Sequence, residues 1–216
     1  MKMDAPKMSS SPQEIYKTIQ SPVAAEIKIK GSRFIATAVP VKSREDAEDE
    51  LRRISRRYHD ATHNCFAFQI GVGDAARYRS SDAGEPAGTA GQPILQVIQG
   101  AGLTNVLIVV TRYFGGTKLG IGGLIKAYTE ATREAVKRAT ILEIPALRRF
   151  QLKVNYGHIS EVMRKINTFG AKVSASDYGE EVWLQVDVSV GKAADFRNAL
   201  INETRGQIEF EGTSNL

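Results

Sequence analysis

One stretch, residues 106–123 (VLIVVTRYFGGTKLGIGG), limits what the chain can become more than any other. Five consecutive apolar residues, Val106 to Val110, read as a buried strand. Thr111, Arg112 and two aromatics follow, and then five glycines within nine positions. A helical pattern starts at Leu119, with Ile121, Leu124, Ile125, Tyr128, Ala131, Ala135 and Ala139 on one face. A buried strand that delivers a glycine-rich turn into a helix N-terminus is a place where folds build sites for anions.

A second segment has the same form. Arg79-Ser80-Ser81 ends a short strand and leads through the Gly/Pro loop 81–91 into a short helix over residues 94–98. If the two strands are neighbours with the same direction, both helix N-termini open on one rim. The candidate phosphate- or nucleic-acid-binding residues are therefore Arg79, Arg112, Gly115, Gly116, Lys118, Gly120, Gly122, Gly123 and Lys126. Asp82 and Glu85 lie in the same loop as a candidate acidic pair. They would repel an anion unless they pair with Arg or Lys or hold a cation. Capping or ion pairing is the expected role, and general acid–base work the alternative.

Charge is consistent with this placement. Residues 1–140 hold 20 Lys and Arg against 14 Asp and Glu, whereas residues 141–216 hold 9 against 10. The whole excess of +5 thus lies in the half that carries the glycines. Such an excess permits nucleic-acid binding without requiring it.

The remaining pattern divides the chain at Pro145. Residues 1–12 are polar and aperiodic, and an N-terminal arm is expected over residues 1–20. The first domain, residues 21–144, begins with a hairpin (26–30 and 33–41) turning at Gly31-Ser32. A helix capped by Ser43 runs to about Tyr58, acidic in its first turn and arginine-rich in its last two, as the helix dipole favours. Residues 63–71 alternate as a strand. The second domain, residues 145–216, reads strand (148–156), helix (158–169), strand (171–176), strand (182–190), helix (193–204), strand (207–210). This βαββαβ order is the split-βαβ, ferredoxin-like arrangement, with Trp183, Leu184, Val186 and Val188 as expected core. The fold class is α+β in two domains.

Several chemistries are set aside. Residues 71–76 match GxGxxA after a strand, but Arg77-Tyr78-Arg79 resumes a strand where a Rossmann unit needs a helix. GGTKLG lacks the Gly-Lys-Ser/Thr ending of a phosphate-binding P-loop. His59, His63 and Cys65 make no firm ligand set, so no metal and no cofactor is expected, and no catalytic residue is assigned. Cys65 is the single cysteine, which excludes an intrachain disulfide and suits a reducing cytoplasm. No apolar run suits a membrane span or a signal peptide.

The blocks ATHNCFAFQIG, GEPAGTAGQPIL and RYFGGTKLGIGGLIKAY, with SRFIATAVPV before them, resemble the YigZ/IMPACT family, in its bacterial two-domain form. The resemblance implies a first domain like the second domain of a small-subunit ribosomal protein. It implies a second like domain V of elongation factor G, and nucleic-acid binding as a suggested activity. Eukaryotic relatives act on translation through Gcn1 and Gcn2, by way of an additional N-terminal domain for which this chain has no room, so a Gcn1-type partner does not transfer. Ala83 stands where the family often carries a second acid. The expected function is a non-enzymatic RNA- or ribosome-binding protein in translation or its regulation. The alternatives are an enzyme holding a small phosphorylated substrate at the Gly120–Gly123 amides and a protein-interaction module using the open sheet of the second domain.

Overall fold

The computed structural model describes residues 15–72 and 76–215, with side chains through residue 212. The first part of the expected arm and Gly73-Asp74-Ala75 of the GxGxxA match lie outside the described residues. The chain divides into two compact units, one of Tyr16–Ile144 and one containing Pro145–Leu216.

The first unit is built on a five-stranded sheet. Its strands are β2 (Val23–Ile29), β3 (Ser32–Pro40), β4 (His63–Ile70), β5 (Arg77–Ser81) and β6 (Val106–Tyr113), in the order β2-β3-β6-β4-β5. Every neighbouring pair is antiparallel. Strand β6 is central and covered on both faces. Its Val106, Ile108 and Val110 join one core with helices α2 (Gly91–Gly100) and α3 (Gly120–Arg138). Its Leu107 and Val109 join another with α1 (Arg44–Arg57). Side chains alternate along a strand, so burial on both faces requires an unbroken apolar run. Ser43 caps α1 by accepting the Asp46 N–H at 3.2 Å.

Three expectations change. The arm does not extend to residue 20, because Ile15–Ile19 is strand β1, paired with β7 (Ile141–Pro145) and anchored by the buried Ile19. Helix α2 begins at Gly91, three residues earlier than the apolar pattern suggested. Strands β5 and β6 are not neighbours: β4 lies between them, antiparallel to both, so they share a direction but stand one strand apart.

The second unit runs β8 (Leu147–Val154), α4 (Ile159–Thr168), β9 (Lys172–Tyr178), β10 (Val182–Ser189), α5 (Ala193–Glu203) and β11 (Glu209–Asn215). Its sheet order β11-β8-β10-β9, antiparallel throughout, is that of a split βαβ. Val182, Leu184, Val186 and Val188 form its core with Phe150, Phe196 and Leu200. Trp183 was expected there and is not. The strand period of two turns it to the opposite face, where the Lys153 ammonium lies 5.8 Å from its ring centroid.

The glycine-rich turn is held by one close approach. A Cβ on Gly115 would lie 1.9 Å from the backbone carbon of Gly31, so the β2–β3 turn and the loop after β6 touch backbone to backbone. Gly122 differs: its Cβ would meet nothing within 4 Å, and its backbone does not have positive φ. Gly115→Ala should therefore lower stability by on the order of 3 kcal/mol, since backbone cannot yield as a rotamer does. Gly122→Ala should leave stability unchanged or raise it by up to about 1 kcal/mol. Urea unfolding of both variants checks the contrast.

Candidate functional site

The site lies where β6, the loop between β5 and α2, and the start of α3 meet. Arg112 occupies the register position opposite Phe34 on β3 and His63 on β4. Phe34 belongs to the core shared with α3, so the same strand face sends Arg112 inward, where it is 5% exposed. Its Nη1 donates to Glu85 Oε1 at 2.6 Å, and the Tyr128 hydroxyl of α3 donates to the same oxygen at 2.7 Å. Arg112 Nη2 reaches Ser32 Oγ at 3.4 Å, and Ser32 Oγ accepts the Gly115 N–H at 3.1 Å. The ion pair thus binds β6, the loop 82–91, α3 and the β2–β3 turn together. Removing one partner of such a buried pair costs about 3–5 kcal/mol.

This corrects the expectation for Arg112, which serves the fold's own carboxylate and does not present a free cation. Arg79 also departs from the expected rim. It pairs across the sheet with Phe68, and its guanidinium lies 5.7 Å from the Phe66 ring, on the α1 face. There it donates to Glu48 Oε1 at 3.1 Å. Two arginines expected to converge therefore point to opposite faces of the sheet, because their strand positions have opposite parity.

The α2 N-terminus is already filled. Asp82 Oδ1 accepts the Ala90 and Gly91 N–H groups and Oδ2 that of Gly88, all at 2.9 Å. Burial pushes the Asp82 carboxyl up, but these three bonds outweigh it and hold the group below the ordinary carboxylate value. The anion at this helix start is the chain's own side chain. Asp82 and Glu85 consequently do not act as a pair: one caps a helix and the other neutralises Arg112.

Helix α3 is different. Among the described residues no side chain caps it, no acidic residue lies in its first turn, and Leu119 stands at the cap. Its start lines a cleft of about 350 Å³ shared with Thr62, His63, Glu85, Pro86, Arg112 and Phe114. Lys118 lies at its lip, exposed, and Lys126 is exposed further along the helix. Neither has an ion-pair partner among the described residues. Phe114 is 47% exposed, with the Arg112 guanidinium 5.5 Å from its ring centroid, and Ile121 beside the cleft is 66% exposed. Gly116 and Gly120 take positive φ at the two bends of the loop.

Behind the cleft, Cys65 lies 2.9 Å from the Asp82 carbonyl and 3.3 Å from the Tyr128 hydroxyl. Burial pushes its thiol up to about 12, so it stays protonated and is no nucleophile at neutral pH. Burial likewise holds the Tyr128 phenol well above its usual value. Ala83 adopts φ 44°, a left-handed conformation, and its carbonyl oxygen meets His63 Nδ1 at 2.9 Å. Sequence reasoning missed Phe114, Tyr128 and Ser32 as parts of the site. Only an aromatic next to the glycine loop and a tyrosine on the inner helix face could have signalled the first two.

The geometry defines a two-unit α+β protein with an uncapped glycine-rich helix start over a cleft lined by Glu85, Arg112 and Lys118. Two family models match it: the Impact N-terminal domain over residues 30–136 and a domain of unknown function, DUF1949, over residues 152–207. The chain is 33% identical to the IMPACT family member YigZ of Escherichia coli (strain K12), over 88% of this chain and 93% of that protein. It is 31% identical to the IMPACT family member YvyE of Bacillus subtilis (strain 168), over 91% and 90%. A crystal structure described as a hypothetical protein matches with a TM-score of 0.68 at 32% identity, covering 92% of this chain and 97% of that one. The chain belongs to the IMPACT family. Among its described residues no helix is long and apolar enough to cross a membrane.

Asp82 gives a pH test. Its folded value is lowered, so the cap stabilises above the unfolded carboxylate value of about 4 and is lost as pH falls through the folded value. Asp82→Ala should cost about 1–2 kcal/mol near neutral pH. Thermal melts of the variant and the parent should converge as the pH is taken below that range.

Proposed function

We propose that the protein is a non-enzymatic RNA-binding protein that acts in translation or its regulation in the cytoplasm, and that it holds single-stranded RNA at the start of α3. The observation that carries this reading is Phe114. Its ring is half-exposed, backed by the Arg112 guanidinium, and set beside an unpaired Lys118 and an uncapped helix N-terminus. An aromatic platform next to cations is how proteins hold unpaired bases and their phosphates. The helix N-terminus supplies N–H groups for phosphate oxygens. The basic excess of the first 140 residues supports the same partner. The phosphate contacts are Lys118, Lys126 and the amides near Gly120, Gly122 and Gly123, with Arg112 as the support of the platform and Arg79 outside it.

A second reading, binding of a small phosphorylated molecule, is favoured by the size of the cleft, about 350 Å³, which suits one small ligand. Sensitivity to polymer length separates the two, because a polymer gains affinity from phosphates beyond the cleft and a metabolite does not.

Single-stranded RNA affinity should fall with rising salt, with a log–log slope of about −0.7 per phosphate neutralised. The double variant Lys118→Ala/Lys126→Ala should bind more weakly and with a slope shallower by about 1 to 2. Phe114→Ala should lose about ten-fold or more. Arg79→Ala should bind as the parent does. Fluorescence anisotropy across a salt series reads all of these, and a flat salt response would sink the reading.

A further inference from the structure

The cleft holds two hydrogen-bond acceptors with no donor between them. His63 Nδ1 lies 2.9 Å from the Ala83 carbonyl oxygen. A carbonyl only accepts, so Nδ1 carries the proton and Nε2 of the neutral ring is an acceptor. That Nε2 lies 4.0 Å from Glu85 Oε2. Arg112 and Tyr128 engage the other carboxylate oxygen, Oε1, whereas Oε2 receives no hydrogen bond from any described residue. The Glu85 side chain is 4% exposed, and Oε2, which is not fully buried, opens to the cleft with its lone pairs free to accept. Whatever fills the cleft does best by bringing a donor.

The surroundings narrow the donor. A nitrogen with two hydrogens can reach both acceptors at once. An ammonium or guanidinium would meet Lys118 at the lip and the positive end of α3, two features that oppose a cation, while the charge of Glu85 is already matched by Arg112. A neutral amino group avoids this penalty. The walls are the Phe114 ring with Pro86, Leu119 and Ile121, which suit a flat apolar body. The lip, by contrast, suits an anion. A neutral amine on a flat ring with an anionic tail describes one nucleotide of adenine, cytosine or guanine.

We propose that the cleft takes a single nucleobase bearing an exocyclic amino group, its NH₂ donating to Glu85 Oε2 and His63 Nε2. The adjoining phosphate lies at Lys118 and the first amides of α3. The proposal rests on the RNA reading above. Uracil is disfavoured, because the carbonyl it carries where cytosine has an amine sets lone pairs against the carboxylate.

Short single-stranded homopolymers of cytidine, adenosine and uridine, compared by anisotropy on the full chain, test this. Cytidine and adenosine should bind about ten-fold or more tightly than uridine. His63→Phe should shrink that ratio, and Lys118→Ala should weaken all three while keeping it. Equal binding of uridine and cytidine by the parent overturns the proposal and leaves the RNA reading standing. So does a ratio unchanged in a folded His63→Phe variant. Binding of none of the three removes both. The parent's ratio decides the matter even if His63→Phe does not fold.

Discussion

The buried pair between Arg112 and Glu85 is the interaction on which the first unit's site depends. Neither group tolerates burial alone, and each is brought inward by a different part of the chain, Arg112 by strand parity and Glu85 by the turn after β5. Together, with Tyr128 and Ser32, they join the sheet centre to α3 and to the β2–β3 turn. The same guanidinium supports the Phe114 ring. A pair that serves the interior therefore also shapes a surface where an aromatic, a cation and a free helix start coincide.

The two strand–loop–helix segments look alike in sequence and end in opposite states. Both bring amides to a helix start, but Asp82 consumes those of α2, while the first turn of α3 carries no acidic residue and the nearby Glu85 is engaged by Arg112. The difference is a single acidic side chain on the approaching loop. An anion site is left open where no side chain of the described residues takes up the helix amides.

The second unit follows its pattern closely. Alternation along Val182–Ser189 sends valines and Leu184 to the helices and Trp183, Gln185 and Asp187 to the other face. There Asp187 forms a bidentate pair with Arg149, at 2.7 and 2.8 Å, and Lys153 is flanked by Glu181 and Glu209. This balanced charge fits the contrast already visible between the two parts of the sequence.

Local pattern was enough to place most elements, since periodicity, caps and turn residues act within a few positions. The run at Val106–Tyr113, the Ser43 cap and the βαββαβ order were legible for that reason. The partners of Arg79 and Arg112 were not. Each is decided by which strand lies beside which and by the parity of its register, and β4 standing between β5 and β6 is a fact of the folded sheet alone. β1 was missed because its pattern is short and its stabilisation comes from β7, more than a hundred residues away. The sequence by itself determined that a glycine-rich helix start with basic neighbours exists. Only the tertiary structure decided which cations remain free, because pairing a buried charge is settled by distances across the sheet and not along the chain.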